Sequence, residues 1–504
     1  MIDKNSYNTE TKKLLLFFLI FFISRLIVYF TFIEQTSINF SNQFRTALDD
    51  NFFEFFLFFH SLPLGNIIIA KIYLFFSELL NAETYYYILN CFYSLMSFLI
   101  IYNLYLKLFK KLDIFIFLIL ILYLLAIIPY ETWRLAHHDH INIFLFTYLI
   151  YFIYNFIFLN NKHNYHFIII FILFTFFYSS GFLIFIITTI LILFFNLIKK
   201  NKLENWMKFF ILTVLMINSL ILIKNNHNIK SPSPTSVMNA VLLQKVHHAL
   251  GDEKYRNNLK KSNLPKFLNK CLSDIYSNKT NSENYFEDIT LFKCFYDKQK
   301  DHYDYAKIID ILKNFNVDDD IINQVREDEI ERNKKPWKFT GGYKEYNDRT
   351  GHIFQSETKK IYLNSFINYP YEMLIGKIGS KGFLLTFIQT GSWGGVFPNY
   401  YEKHLKLDNK FFNLINIIFA LINIFFILYF IFKSIYKIII IKENSYIKSN
   451  LFQFNLIILI YIIAFLFVNS NVTCCENPRM TVMIFYLFMI NSCINLRELM
   501  YKNK

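Results

Sequence analysis

Residues 12–33 read KKLLLFFLIFFISRLIVYFTFI, and the rest of the chain is interpreted outward from this stretch. Two lysines precede an apolar run that holds a single charged residue, Arg25. A helix rises about 1.5 Å per residue, so about 20 apolar residues cross the roughly 30 Å hydrocarbon core of a bilayer. We therefore predict a transmembrane helix over residues 13–33, and the lysines before it mark its cytoplasmic end.

The same length test identifies nine further spans along the chain. The ten predicted spans are residues 13–33, 85–109, 114–130, 141–159, 167–179, 181–198, 209–224, 411–432, 451–468 and 482–496. A single helix over residues 167–198 would turn the lysines after residues 198 and 432 outward, so a hairpin broken at Ser179, Ser180 and Gly181 is preferred.

Lysine-rich connections alternate with connections that carry carboxylates or histidines. The lysine-rich set comprises residues 12–13, 107–111, 162, 199–202, 433–448 and 497–504. By the positive-inside rule this set faces the cytoplasm. The chemically reactive groups therefore collect on the opposite side, called the trans face below.

The composition predicts the same class of protein. The 504 residues are 54% hydrophobic and 20% aromatic, with 61 Phe against 12 Gly, which is far from a soluble domain. The net charge of +14 does not indicate a nucleic-acid partner, because the lysines lie at helix ends, where orientation and anionic lipid explain them. We predict an all-α polytopic membrane protein.

Three domains follow from this layout. Residues 1–224 form an N-terminal transmembrane catalytic module, residues 225–410 a mainly helical extracytoplasmic region, and residues 411–504 the C-terminal transmembrane helices. Two apolar stretches in the first trans loop are too short to span and suit interfacial helices. A bridge between Cys271 and Cys294 is as well supported as two free thiols.

The first trans loop carries Asp49 and Asp50 side by side, and His60 follows before the chain returns to the membrane. A carboxylate at the water interface, next to a groove between helices, can accept a proton from a hydroxyl group. Aspartate is also common as a solvent-exposed helix cap, and spacing alone favours this structural role over a catalytic one.

The second trans loop runs from Tyr130 and Glu131 through Arg134 to four consecutive polar residues. These four are His137, His138, Asp139 and His140. Arginine with histidine can hold a phosphate, and histidine with carboxylate can bind a divalent metal. Four adjacent side chains point in different directions on a helix, so at most two would share one ion. Solvation of a polar helix end competes with both interpretations.

A third element, Glu476-Asn477-Pro478-Arg479, precedes the last span. Proline is common at a helix start, so Arg479 is expected at the mouth of the helix, where a lipid phosphate would arrive. Anchoring of the arginine to lipid headgroups is an equally weighted alternative.

Together these elements resemble the GT-C superfamily of membrane glycosyltransferases. The similarity is to the protein mannosyltransferase and lipid A aminoarabinose transferase type, in a bacterial branch. The matching motifs are residues 23–26 (ISRL), 49–50 (DD), 60–64 (HSLPL) with Asn66, 130–133 (YETW) and 476–479 (ENPR). The resemblance covers the membrane part of the chain through short motifs, and it does not extend to residues 225–372.

The resemblance implies transfer of a sugar, with inversion, from a polyprenyl-phosphate donor to a glycan, lipid or protein acceptor. The site would face the periplasm from a bacterial inner membrane. Asp49 or Asp50 would be the general base, with Glu131 as the alternative. Basic groups would stabilise the charge that grows on the leaving phosphate. The expected donor-binding and acceptor-binding residues are His60, Arg134, His138, Asp139, Glu476 and Arg479.

No motif requires a cofactor, and a divalent metal stays open. Two other classes of function also stay open. A ligase or polymerase of surface polysaccharide would share the large trans loop and its Arg and His residues, and it needs no carboxylate in the first loop. A lipid or solute transporter would place ionisable residues within its spans, and here Arg25 is nearly alone.

Overall fold

A computed structural model describes residues 4–31, 33, 64–110, 113–132, 139–159, 252–261, 359–375, 409–472 and 484–500, with short stretches and single positions between 187 and 326. The described chain is helical apart from one antiparallel pairing of two-residue strands. The elements are α1 Lys4–Thr31, α2 Leu64–Phe76, α3 Ala82–Phe109, α4 Ile114–Ala126, α5 Ile128–Thr132, α6 Asp139–Leu159, α7 Asp252–Lys260, β1 Tyr296–Asp297, β2 His302–Tyr303, α8 Pro370–Ile375, α9 Asn409–Ile435, a π-helical segment Tyr436–Ile440, α10 Asn444–Lys448, α11 Asn450–Val472 and α12 Phe485–Met500.

Four of the described helices are long and apolar enough to cross a membrane. Their apolar stretches are Thr11–Thr31, Ala82–Phe109, His140–Leu159 and Leu421–Ile440. Shorter apolar stretches occur at Ile114–Leu125 and Asn450–Phe465. The described residues confirm the prediction of a mainly helical chain, and their long apolar helices are compatible with a membrane protein. The predicted spans 167–179, 181–198 and 209–224 lie wholly or largely outside the described residues.

Helix α1 shows how the apolar helices divide their surface. Over residues 11–31 only Phe17, Phe21 and Arg25 are buried, and they recur every fourth residue along one stripe. Side chains on the other faces, such as Leu15 and Ile27, are more than half exposed. A helix that is apolar all round and buried on a single stripe is typical of contact with lipid on the remaining faces.

The bundle is built around α12, whose residues 485–495 are all buried. Tyr486 packs edge-on against Phe98 of α3 with ring centroids 5.2 Å apart, and Phe485 packs against Tyr123 of α4 at 5.1 Å. Hydrogen bonds join α12 to α9 and α11 as well. The C-terminal helix is therefore the centre of the described bundle, although it is less apolar than its neighbours.

The pairing of residues gives the helix directions. Tyr93 stacks on Phe144, and farther along Lys107 donates to Asn155, so α3 and α6 run parallel. Phe146 contacts Tyr461 while Tyr154 contacts Phe454, so α6 and α11 run antiparallel.

Basic residues of the lysine-rich connections gather at one end of the bundle, called the basic end below. Arg497 Nη1 lies 3.2 Å from Asp113 Oδ2, and its Nη2 donates to the Phe109 carbonyl at 3.3 Å. Lys433 pairs with Glu498 at 2.5 Å. The C-terminal ends of α3, α9 and α12 and the start of α4 thus lie together, in agreement with the predicted alternation of helix direction.

Part of the region between residues 225 and 410 is folded on itself. Asn258 of α7 donates to Ser365 at 2.8 Å, and Lys254 pairs with Glu372 of α8 at 2.5 Å. The hydrogen bond to Glu372 raises the pKa of the Lys254 ammonium. Tyr255 and Leu259 are fully buried. These contacts join segments more than 100 residues apart, so the described parts of this region pack against one another.

Candidate functional site

The site is built on Arg25, which occupies the buried stripe of α1 after Phe17 and Phe21. A charge in an apolar helix is costly unless a partner neutralises it. Glu131 of α5 is that partner, 106 residues later in the chain. Arg25 Nε donates to Glu131 Oε2 at 2.9 Å, and Nη2 donates to Oε1 at 2.7 Å. The side chains are 5% and 0% exposed, so the pair is a two-pronged salt bridge shielded from solvent.

Arg25 also closes the end of α4. Its Nη2 donates to the Leu124 carbonyl at 2.9 Å, and Nη1 donates to Ser24 Oγ at 3.0 Å. The last carbonyls of a helix have no partner within the helix, and here the guanidinium supplies one. The guanidinium carbon lies 4.4 Å from the centre of the Phe21 ring. One side chain thus connects α1, α4 and α5.

Local sequence explains why α5 is a separate short helix. Ile127 forms a turn after α4, and Pro129 follows in the first turn of α5, where a missing N–H costs no helix bond. The Glu131 amide donates to the Ile127 carbonyl at 3.1 Å. A helix of five residues is not stable alone, so tertiary contacts must hold it.

Helix α3 supplies those contacts, in addition to the ones made by α1. Asn90 Nδ2 donates to the backbone carbonyl of Glu131 at 3.0 Å. Tyr87 donates its hydroxyl hydrogen to the Arg25 carbonyl at 2.9 Å. The Cys91 sulfur lies 3.9 Å from Glu131 Oε2. Both partners of the ion pair are therefore fixed through backbone and side chain. We call Arg25, Glu131, Leu124, Tyr87 and Asn90 the Arg25–Glu131 clamp.

The start of α6 is buried as well. His140 is 4% exposed and Asn142 is 1% exposed. Residues 133–138, which carry Arg134 and His138, connect Thr132 to α6. The chain is therefore anchored on both sides of this six-residue segment, by the clamp before it and by buried residues after it.

No described protein family, curated protein or solved structure matches this chain at a significant level. The function is therefore argued from the geometry of the site and from the chemistry of its residues.

Most of the predicted site residues lie outside the described part of the chain. These are Asp49, Asp50, His60, Arg134, His138, Glu476 and Arg479. Asp139 is the first residue of α6. Glu131 is described, and the structure brings it onto Arg25, which the sequence interpretation had not assigned to the site. The signal that could have found Arg25 was its isolation: one charge in an apolar span calls for a buried partner of opposite charge.

Among the residues that the structure describes, no three His, Cys, Asp or Glu side chains come together as metal ligands. The only two described cysteines, Cys91 and Cys493, are free thiols within helices. The pairing of Cys271 with Cys294 lies outside the described residues.

Proposed function

We propose that this chain is a multi-pass membrane glycosyltransferase of the GT-C type. It moves a sugar from a polyprenyl-phosphate donor to an acceptor on the trans face with inversion. The observation that carries the proposal is the Arg25–Glu131 ion pair. It joins two of the short motifs behind the GT-C resemblance, residues 23–26 and 130–133, although they are far apart in sequence. This meeting of two motifs, 106 residues apart in the chain, supports the proposal.

The arrangement of helix ends supports this proposal. Helix α1 ends at Thr31, a few residues beyond Arg25, and Tyr29 contacts Thr84 at the start of α3 with 3.3 Å between the hydroxyl oxygens. Glu131 comes at the end of α5, and α6 begins eight residues later. The first and second trans loops therefore start from the same end of the bundle, opposite the basic end. Asp49, Asp50, Arg134 and His138 belong to these two loops.

In the proposed topology ten spans cross a bacterial inner membrane, the basic end faces the cytoplasm, and the site faces the periplasm. Helix α2 would lie in the interface as part of the first trans loop. Its Tyr73 and Phe76 pack on Tyr85 at the start of α3, which fits a short helix placed at the trans end.

The chemistry follows from the residue types. Asp49 or Asp50 deprotonates the acceptor hydroxyl, whose oxygen attacks the sugar carbon opposite the phosphate. The bond from carbon to phosphate oxygen breaks, and the leaving phosphate takes the electron pair. Arg479, Arg134 and His138 stabilise that charge, while His60, Asp139 and Glu476 contact the donor or the acceptor. Such electrostatic stabilisation is usually the largest single contribution to the rate.

A transporter is the second candidate, because the Arg25–Glu131 pair places two ionisable residues deep in the bundle. The pair is fully neutralised and hydrogen bonded, as a structural pair would be. One assay separates the candidates. The purified chain in nanodiscs should transfer sugar from a polyprenyl-phosphate donor and give a product of inverted anomeric configuration. Donor movement across sealed vesicles without any transfer would favour the transporter instead.

A further inference from the structure

Helix α9 keeps an exposed apolar face along its whole described length and into the π-helical segment that follows it. Phe425, Phe432 and Ile439 recur every seventh residue, or about every second turn, and each is more than half exposed. The apolar stretch ends at Ile440 and has 20 residues. At about 1.5 Å per residue this length matches the roughly 30 Å hydrocarbon core of a bilayer, so the end of the stretch falls at the edge of that core.

Two lysines within this segment turn away from the exposed face and toward protein partners. Lys433 pairs with Glu498 of α12 at 2.5 Å, and Lys437 Nζ lies 3.0 Å from Glu443 Oε2. The Lys437 ammonium also lies 4.7 Å from the centre of the Tyr446 ring. Tyr446 belongs to α10 and is buried, so α10 folds back onto the lysine-bearing side. The exposed apolar face is therefore not interrupted by charge.

Two further lysines stay on the surface where the helix ends. Lys442 has a φ of 57°, a left-handed conformation that is common just after a helix end. Lys448 is the last residue of α10, and both lysines are exposed. Residues 433–448 hold four lysines and one glutamate, so their net charge is positive. We call residues 436–448 the α9–α10 turn.

We propose that the α9–α10 turn binds anionic phospholipids in the membrane leaflet at the basic end. Residues 439–441, three exposed isoleucines, lie among the acyl chains, while Lys442 and Lys448 bind the phosphate-bearing headgroups. Burial of the isoleucines in lipid is favourable, and each lysine near an anionic surface adds an electrostatic attraction. The predicted span 411–432 then extends to the isoleucines. This inference requires only that α9 crosses a membrane, and it is independent of any transfer reaction.

A tryptophan probe in the full chain tests where the turn lies. The native tryptophans are first replaced by phenylalanine at Trp133, Trp206, Trp337 and Trp393. Ile440→Trp is then introduced, and the chain is placed in nanodiscs of phosphatidylcholine and phosphatidylglycerol. We expect lipids brominated on their acyl chains to quench this probe strongly and acrylamide in the water to quench it weakly.

The matched control for depth is Ser445→Trp, at an exposed polar position of α10, where we expect acrylamide to be the stronger quencher. Quenching by brominated lipid that is no stronger at Ile440→Trp than at Ser445→Trp would overturn the proposal, because the isoleucines would then stand in water.

The lysines are tested in the Ile440→Trp chain with two brominated lipids at equal mole fraction. We expect anionic phosphatidylglycerol to quench more than zwitterionic phosphatidylcholine. Lys442→Gln and Lys448→Gln should each lower the relative association of phosphatidylglycerol by about fivefold, and high salt should lower it as well. The control pair Lys261→Gln with Lys359→Gln removes the same charge from exposed sites elsewhere and should leave this preference unchanged. A parent chain without the preference, or a preference that survives loss of both lysines of the turn, would overturn the proposal.

Discussion

At the scale of single residues, the buried arginine is the most informative feature of this chain. Removing one member of a buried ion pair typically costs about 3 to 5 kcal/mol, because the other charge stays buried without a partner. Arg25 avoids this cost by pairing with Glu131 and by binding the Leu124 carbonyl. Because Arg25 binds both carboxylate oxygens of Glu131, we test the proposed general base first at Asp49 and Asp50.

The first prediction concerns those two carboxylates. Asp49→Asn and Asp50→Asn keep the side-chain shape and remove its basicity. For whichever residue is the base, we expect turnover to fall by about 100- to 10,000-fold while donor binding persists. Transfer from a polyprenyl-phosphate sugar, measured per folded molecule, checks this. Wild-type turnover in both single variants and in the double variant would remove the first trans loop from the chemistry.

The second prediction concerns Arg479. A guanidinium can make paired hydrogen bonds to phosphate oxygens, whereas lysine supplies the charge without the fork. We expect Arg479→Lys to lose part of the turnover and Arg479→Ala to lose nearly all of it, at unchanged levels of membrane-inserted protein. If the arginine is only a headgroup anchor, lysine will substitute fully, and alanine will lower the amount of folded protein.

At the scale of elements, α12 shows how a helix with several polar side chains lies at the centre of the described bundle. Asn455 of α11 donates to Asn495 at 3.1 Å and accepts from Asn491 at 2.8 Å. Tyr123 and Ser492 both donate to Asn423 Oδ1 of α9. Each of these side chains is buried, and its bonds fix the register of α12 against α4, α9 and α11.

The third prediction is a coupling between two of these asparagines. In a double-mutant cycle, Asn455→Ala and Asn491→Ala should show a coupling energy of about 0.6 kcal/mol, within an upper bound of about 1.7 kcal/mol seen for bonds between membrane helices. Unfolding in mixed micelles measures it. A matched cycle of Asn455→Ala with Ser365→Ala should be additive, because the side chain of Ser365 bonds to Asn258 of α7 and not to Asn455. Additivity in both cycles would mean that the hydrogen bond between Asn491 and Asn455 does not hold α11 and α12 in register.

At the scale of the whole molecule, the two ends of the bundle differ in their chemistry. The basic end holds Lys107, Lys433 and Arg497, each with a partner of its own. The Arg25–Glu131 clamp lies toward the other end of the bundle. Glu443 follows α9 in the chain, and its carboxyl group accepts a hydrogen bond from Lys437. This bond lowers the pKa of the Glu443 carboxyl group. If the bundle spans a membrane, the positive-inside rule places the basic end in the cytoplasm.

The fourth prediction tests that orientation. Lys261, next to α7, and Ser445, in α10, are both exposed and suit cysteine labelling. In a background that lacks Cys271, Cys294, Cys474 and Cys475, a membrane-impermeant maleimide should reach Lys261→Cys from the periplasmic side and Ser445→Cys only after the membrane is opened. Labelling of both positions from one side would contradict the proposed topology.

Much of the described helical structure was predictable from apolar run length. The predicted span 85–109 falls on the helix Ala82–Phe109, and the predicted span 141–159 falls on the helix Asp139–Leu159. The ends of the helices were less predictable. The last span was predicted at 482–496, and the helix described there is Phe485–Met500, whose final turn carries Arg497 and Glu498 with their ion pairs.

The sequence by itself determined the helical class, the order of the apolar runs and the alternation of basic connections, because these depend on transfer of side chains between water and lipid. It also marked Glu131 and Arg25 as separate features. Only the tertiary structure decided that these two residues bind each other and that α12 is the core. The physical reason is that a pairing across 106 residues depends on which helix faces meet, and local periodicity carries no information about that choice.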